Sequence, residues 1–452
     1  MYYAVDLFAG CGGLSEGFAQ AGFTVLAEIE MNRWACETLR TRHLFHELTR
    51  INKRSQYNKY AKGKISREKI LEAYPDVKET INKRIIQATL GPNGMDAVLE
   101  KIDSSLIYHN APRVNVLLGG PPCQPYSIIG RSRDPDRMTN DSRHYLYRHY
   151  LEIMKYLKPD FFVYENVPGL FSAETDGEKI FAKLQEDFCS LDPAYEITPP
   201  LHKVREKPGS YILNSAEFGV PQNRRRLILI GYKKSLESKD TKVKGIFRKI
   251  QNIACNNRKC DALSVKDAIY DLPAVSPGAG SDRYYGPYSN ARESNEYQRD
   301  MRMHSPGVLN HRARTQMEGD LERYNFYIKR RMEGLKAATI DNLVIERPDL
   351  KPNHRNLDDF KDRFRVQWWD APSSTITAHI CKDGNYYIHP DIVQCRSFTV
   401  REAARCQSFP DSYMFEGPRT EQFKQVGNAV PPKLAYQIGR VILSELIRLE
   451  NA

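Results

Sequence analysis

The chain has 452 residues, with 67 Lys plus Arg, 56 Asp plus Glu, 41% hydrophobic and 27% charged residues. Length and composition of this kind describe a folded chain of roughly two to four domains and exclude disorder over most of its length. The formal net charge of +11 favours a polyanionic partner through sequence-independent attraction to phosphate.

No apolar run approaches the roughly 20 residues of a membrane-spanning helix. The start MYYAVDLF also lacks a basic stretch ahead of an apolar one, so a cytoplasmic protein with no membrane partner is expected. Nine cysteines are too few for a disulfide scaffold, and their odd count points to reduced thiols. Cys255 and Cys260 have no second Cys/His pair at zinc spacing, so no metal site is expected.

In chain order, Tyr3 to Phe8 reads as a strand, followed by a glycine-rich turn, an amphipathic segment from Leu14 to Gln20 and a second apolar run from Phe23 to Ile29. His46 to His109 is polar and helical in pattern, which predicts a surface insertion. Further buried strands are expected at Val114 to Leu118, Phe161 to Tyr164 and Leu227 to Ile230. Between the first two, Leu146, Tyr150, Ile153, Met154 and Leu157 recur at helical spacing before Pro159 stops the helix. Alternation of this sort predicts an α/β fold with a parallel sheet covered on both faces. From Leu263 to Phe398 the texture changes to turns, scattered tyrosines and mixed charge, as in a separate domain. Leu434 to Leu449, after Pro431 and Pro432, is again an amphipathic helix.

Four segments carry chemistry. In DLFAGCGGLSEGF, glycines at 10, 12 and 13 lie between a strand and a helix, where a backbone can approach a ligand closely. The spacing is not that of a dinucleotide loop, but Glu30 ends the next strand where a ribose-binding acid belongs. A nucleoside cofactor without a pyrophosphate suits this loop; a structural tight turn and an NAD-type site are the alternatives. In GGPPCQPYS, Cys123 follows a buried strand among loop formers, which favours a reactive thiol facing the same crevice over a buried core cysteine. Glu165 and Asn166 close the strand Phe161 to Tyr164, so the acid can point into that crevice or be merely solvated. In QNRRRLILIG, alternation lets Arg224 and Arg226 act together while Arg225 points elsewhere. Such guanidinium groups can bind phosphate or polarise a carbonyl, or can simply charge a sheet edge.

In combination these segments resemble the cytosine-C5 DNA methyltransferase family, in the family's order. Asp6 to Phe18, Gly119 to Ser127, Glu165-Asn166-Val167 and Gln222 to Arg226 look like its cofactor loop, nucleophile loop, acid strand and arginine strand. RSFTVREAARCQSFPDSY, Arg396 to Tyr413, and QVGNAVPP, Gln425 to Pro432, complete the match. The resemblance implies a Rossmann-like methyltransferase sheet dependent on S-adenosylmethionine, with a smaller, irregular target-recognition domain. It implies a catalytic domain over 1–262 containing the insertion 46–109, a target-recognition domain over 263–419, and a segment 420–452 that returns to the catalytic domain. It further implies a covalent Cys-C6 adduct on a cytosine flipped from double-stranded DNA, with Cys123 as nucleophile and Glu165 holding or donating a proton at N3. Arg224 would support charge near O2 and Arg226 would position the nucleophile loop.

For the cofactor, the resemblance implies contacts from Phe8, Gly10, Cys11, Gly12, Gly13, Leu14, Glu30, Met31, Pro122, Asn428 and Ala429. The acid that the family places near the adenine is not recognisable in this chain. DNA contacts are expected from Gln124, Ser127 and Arg131, Arg133, Arg137, Arg143 and Arg148 after the cysteine, and from Thr375 in the pair Thr375-Ile376. Sequence choice is expected from the stretch between Arg226 and Arg396. The family's setting implies the modification enzyme of a restriction-modification system, a monomer whose cognate endonuclease acts separately. An RNA cytosine methyltransferase would share the loop and the cysteine, but its Cys-Phe-Thr string is absent. A dinucleotide oxidoreductase would leave the Pro-Pro-Cys and arginine segments unexplained, and a non-catalytic DNA-binding module would leave Cys123 and Glu165 without a role.

Overall fold

The computed structural model describes residues 1–91, 94–122, 146–175, 178–198, 211–237, 243, 246, 249–250, 252–254, 261–288, 294–353 and 361–451. Strand β1 (Tyr2–Leu7) is buried along nearly its whole length. Gly12, at φ 87°, opens helix α1 (Gly13–Ala21), and Gly22, at φ 107°, closes it; both need the left-handed backbone that glycine adopts without strain. After β2 (Phe23–Glu30), the Asn32 side chain accepts the N–H groups of Trp34 and Ala35 and so starts α2 (Arg33–Arg50). Helix α3 (Arg54–Ala61) and two more helices lead to β3 (Ile85–Gln87) and α4 (Met95–Tyr108). Then come β4 (Val116–Gly119), α5 (Leu146–Leu157) and β5 (Phe161–Asn166), followed by β6 (Tyr195–Thr198), β7 (Ile212–Asn214) and β8 (Arg225–Lys233).

These strands form one sheet in the order β3-β2-β1-β4-β5-β8-β6, with β7 also paired to β8. The pairs from β3 through β5 are parallel, whereas β8 runs antiparallel to β5, β6 and β7. The apolar run at Leu227 to Ile230 is therefore an antiparallel member, not part of a purely parallel sheet; a fully buried strand reads alike in either direction. Residues 46–109 also differ from a pure surface insertion. They supply β3, the edge partner of β2, and α4, whose Val98 and Ile102 join the main core. The exposed lysines and glutamates of the intervening helices obscure a strand of only three residues.

The sheet buries both faces, with successive residues alternating between them. Val5, Leu7, Leu117, Phe162 and Tyr164 pack with Tyr150, Ile153 and Met154 of α5 on one side. Ala4, Val116, Leu118, Phe161 and Val163 pack on the other with Leu14 and Phe18 of α1. That second layer also contains Leu434, Ile438 and Ile442 of the helix Pro432–Glu450.

Beyond residue 262 lies a hairpin of β9 (Gly280–Gly286) and β10 (Val308–Arg312). Helices α6 (Glu318–Met332) and α7 (Ile340–Glu346) build a small cluster of their own with Phe364 and Ile388. Next come α8 (Val400–Cys406), α9 (Arg419–Asn428) and α10 (Pro432–Glu450). All seven residues of α8 are buried although three are charged. Arg396 pairs with Glu402 at 2.7 Å, and Arg405 with Asp411 at 2.6 Å and Asp271 at 3.0 Å. Buried ions survive only when paired and hydrogen-bonded, so this string is a structural staple. Among the described residues no helix is long and apolar enough to cross a membrane.

Helix α10 lies against α1 at backbone contact. A methyl group at Gly13 would sit 2.1 Å from the Val430 carbonyl oxygen, and one at Gly17 would sit 2.5 Å from the Pro432 oxygen. Gly17→Ala should therefore destabilise the fold by about 1–3 kcal/mol through overpacking, read as a lowered midpoint of chemical unfolding. An unchanged midpoint would mean that the two helices separate at no cost.

Candidate active site

The carboxyl ends of β1, β4 and β5 define the site. Leu7 pairs laterally with Gly119, and Gly119 with Tyr164. Phe8, Gly120 and Glu165 therefore emerge side by side where the strand order reverses, the place where open α/β sheets bind ligands. Tyr150 locks this register: its hydroxyl donates to the Leu117 and Val163 carbonyls at 3.0 and 3.3 Å, between the two strands. A methyl at Gly119 would collide with the Tyr150 ring at 2.7 Å, and one at Gly120 would lie 2.8 Å from Glu165 Oε2. The paired glycines thus let the strand pass under a ring and beside a carboxyl group.

Glu165 is 9% exposed, and Arg226 Nε lies 3.0 Å from its Oε1. Burial pushes the Glu165 carboxyl above its ordinary value, and the opposing pull of Arg226 and then Arg224 does not cancel it. Arg226 is thus the arginine that meets the acid. Arg224, expected near O2 of the base, is 1% exposed and donates to the Ile376 and Gly427 carbonyls at 2.6 and 3.1 Å. Arg226, expected to position the nucleophile loop, also donates to the Arg225 carbonyl at 2.8 Å. Strand alternation correctly separated Arg225, which is exposed, but could not show that Arg224 precedes β8 and turns inward to other carbonyls.

Residues 221–223 and 373–376 run side by side. Asn223 N–H donates to the Ser373 carbonyl at 2.8 Å, Ile376 N–H to Gln222 Oε1 at 2.7 Å, and the Thr375 hydroxyl to the Asn223 carbonyl at 2.6 Å. The Thr375-Ile376 pair therefore stands at the start of the arginine strand, with the Thr375 hydroxyl already engaged. Gly427, in QVGNAVPP, allows this close packing: a methyl there would lie 2.3 Å from Ala378 N. Gln222 and Tyr387 were not singled out as site residues. Gln222 is fully buried and also donates to the Cys406 carbonyl, and the Tyr387 hydroxyl joins Thr377 N–H to the Thr375 carbonyl. No sequence signal marks Tyr387.

On the other side of β1, Glu30 accepts the Gly10 N–H at 2.8 Å on one oxygen and the Asn32 N–H at 2.7 Å on the other. Each oxygen retains acceptor capacity for a further donor. Gly10, at φ +57°, has open space where a side chain would stand, whereas Gly12 is enclosed by Leu39 and Tyr413. Phe8 adopts φ 58°, a strained value for a bulky residue, at the mouth of this cradle. Cys11, Gly12, Gly13 and Leu14 are buried, and Cys11 Sγ donates to the Gln425 carbonyl at 3.5 Å. Met31 is 62% exposed, Pro122 and Asn428 are exposed, and Ala429 is buried. The Gly13–Val430 contact brings the segment of Asn428 and Ala429 to the glycine loop.

Beneath the loop, Ser15 donates to Glu28, Glu28 meets His43, and Glu16 pairs with Arg42 and His46. These buried pairs fix α1 to α2. Burial pushes the Cys36 and Cys406 thiols up to about 12 and raises that of Cys11 as well, so none of these is a nucleophile at neutral pH. Cys123, Gln124, Ser127, Arg131, Arg133, Arg137 and Arg143, and likewise Cys255 and Cys260, lie outside the described residues. Arg148, expected in the loop, is exposed on α5. Among the described residues no group of three His, Cys, Asp or Glu side chains could hold a metal ion.

The family model for C-5 cytosine-specific DNA methylase matches residues 2–71 and 80–444. The chain belongs to this family. Its reaction is methylation of DNA cytosine at C5, which sets aside the dinucleotide oxidoreductase. The chain is 38% identical to the type II methyltransferase M.Bpa9945I of Bacillus paralicheniformis, over 97% of this chain and 98% of that one. It is 29% identical to the type II methyltransferase M.AgeI of Thalassovita gelatinovora, again over 97% and 98%. The fold matches a solved structure described as a DNA modification methyltransferase encoded within prophage Cp of E. coli, with TM-score 0.60 and 21% identity over the full length of both chains.

Neutralising residue 226 should separate the two arginines. In Arg226→Gln the carboxyl of Glu165 loses the cation that lowers its pKa, so the high-pH fall in kcat/KM should move to higher pH. Arg224→Met should instead lower the unfolding midpoint by leaving two buried carbonyls unpaired. Identical pH profiles in wild type and Arg226→Gln would show that this pair does not set the acid's protonation.

Proposed function

We propose that this chain methylates a cytosine flipped out of double-stranded DNA, with Cys123 as nucleophile, Glu165 as the acid at N3 and S-adenosylmethionine as methyl donor. The observation that carries this reading is the buried, protonation-prone Glu165, held by Arg226 and abreast of Gly120, three residues before Cys123. Cytosine C5 is a weak nucleophile. Addition of the Cys123 thiolate at C6 places an electron pair on the ring and makes C5 enamine-like. Negative charge develops toward N3 and O2, where a protonated Glu165 donates to or shares its proton with N3. Methyl transfer to C5, loss of the C5 proton to a base and expulsion of the Cys123 thiolate then restore the ring and the free enzyme.

Bound S-adenosylmethionine would supply the electrophilic methyl group. The residues present fit it: Glu30 has spare acceptor capacity for ribose hydroxyls and Gly10 leaves an open cradle, while Phe8, Pro122, Asn428 and Ala429 would line the rest of the pocket. Base extrusion costs a few kcal/mol, which phosphate contacts from the arginines after Cys123 would offset. Target choice would come from the hairpin and helices between Arg226 and Arg396. The names of the relatives, type II methyltransferases, support a modification role; in this proposal the chain would act as a monomer beside a separate endonuclease.

Cys123→Ala should abolish methyl transfer while leaving DNA affinity within about tenfold, because it removes the nucleophile and little phosphate contact. Retained turnover would eliminate the covalent route. In cells expressing the wild-type chain, sequencing should find 5-methylcytosine at one recurring DNA word, and exchange of residues 271–395 for those of a relative should change that word. An unchanged word would place specificity elsewhere.

A further inference from the structure

Residues 54–84 make the chain between β2 and β3 far longer than a connection needs. Among the described residues they belong to neither of the two apolar clusters that cover the sheet. The cluster they join reaches the other domain: Tyr57, Tyr60 and Ile70 share it with Leu309 of β10 and Met414, and Tyr284 of β9 packs against it. The Tyr57 hydroxyl donates to the Ser412 carbonyl at 2.6 Å, and the Tyr60 hydroxyl to Glu416 at 2.5 Å. Arg54, which opens α3, donates to His304 Nδ1 at 2.6 Å.

The two strands of the hairpin are held in different ways. Strand β10 is pinned within the buried junction, where Arg401 Nε donates to the Leu309 carbonyl at 2.9 Å and Phe415 N–H to Asn310 Oδ1 at 3.0 Å. The ladder of β9 with β10 breaks between Ser281 and Tyr284 and again between Tyr284 and Gly286. A two-stranded hairpin has little stability of its own, so the position of β9 depends on what it leans against. Its contact with the 54–68 segment is reciprocal. The exposed Arg283 places its guanidinium 4.7 Å from the Tyr60 ring centroid and donates to the Tyr60 carbonyl at 3.4 Å. In return, Lys62 Nζ lies 5.2 Å from the Tyr284 ring centroid. A cavity of about 320 Å3, lined in part by Tyr60, Gly63, Ser66 and Arg283, remains between the two segments, so the joint rests on few contacts.

We propose that residues 54–68 are a brace that sets the β9–β10 hairpin at one angle to the catalytic domain, with Tyr60 and Arg283 as its positioning pair, and that DNA specificity depends on this brace. The inference rests on the reading that the stretch between Arg226 and Arg396 selects the DNA word. Attraction to phosphate tolerates a hairpin that wanders, whereas readout of base edges requires it in one orientation. A hairpin released from the brace lowers specific affinity in proportion to the fraction still docked. Tyr60 and Arg283 act through the hairpin and touch neither the reacting base nor the cofactor.

The test compares wild type, Arg283→Gln, Tyr60→Leu and the double variant on two duplexes of equal length, one carrying the word found methylated in cells and one unrelated. Each single variant should bind the target duplex about twofold to fivefold more weakly, the range of one exposed cation–π contact, and the unrelated duplex as wild type does. The double variant should be no weaker than Tyr60→Leu alone, because both changes break one contact. Affinity for S-adenosylhomocysteine should stay at the wild-type value throughout. Should Tyr60→Leu not fold, Lys62→Gln, an exposed change that removes the reciprocal contact, should show the same loss on the target duplex alone. Equal weakening on both duplexes with a shallower salt dependence would make Arg283 a phosphate contact and overturn the brace. Unchanged target affinity in the variants would overturn it as well, with the target-recognition reading intact. A wild type that binds the two duplexes equally would remove that reading and this inference together.

Discussion

The site depends on the lateral register of three parallel strands. Because Leu7, Gly119 and Tyr164 lie abreast, the residues that follow them emerge as a row, and a slip of one residue would turn each side chain to the opposite face. The apolar alternation on both faces of β4 and β5 enforces that register. The Tyr150 hydroxyl, bonded to carbonyls of both strands, reinforces it where β4 contributes only four residues. The crevice is thus a product of core packing, and Glu165 inherits its burial and its raised pKa from the strand that carries it.

A second constraint closes the crevice from above. Segments far apart in the chain meet at backbone distance: Gly13 at Val430, Gly427 at Ala378, and residues 221–223 beside 373–376. Glycine is required at such contacts because any side chain would meet a peptide group. The buried arginines 396, 401 and 405 hold the same junction from the other side, donating to carboxylates and to the carbonyls of Leu309, Tyr413 and Ala268. Removing one partner of such a network leaves a buried charge uncompensated, which costs about 3–5 kcal/mol.

Much of this was legible in the sequence, for physical reasons that differ by segment. Runs such as Phe161 to Tyr164 are unmistakable because a strand covered on both faces is continuously apolar. The glycine loop was legible because Gly10 and Gly12 adopt backbone angles that other residues resist. Three features were not. Strand β3, only three residues long, is too short to rise above the charged helices that precede it. The direction of β8 leaves no trace in composition. The different tasks of Arg224 and Arg226 depend on where β8 begins, which alternation alone does not reveal. The string REAAR, Arg401 to Arg405, is wholly buried because Arg396, Asp411 and Asp271 compensate its charges, and nothing in the string itself announces those partners.

The junction of α1 with α10 has a consequence for cooperativity. Gly13 and Val430 touch across most of the length of the sequence, so the glycine loop is walled in only after the segment around Val430 has docked on it. A partly folded chain with its sheet already formed still lacks that wall, and local unravelling of α10 and loss of the cradle are one and the same event.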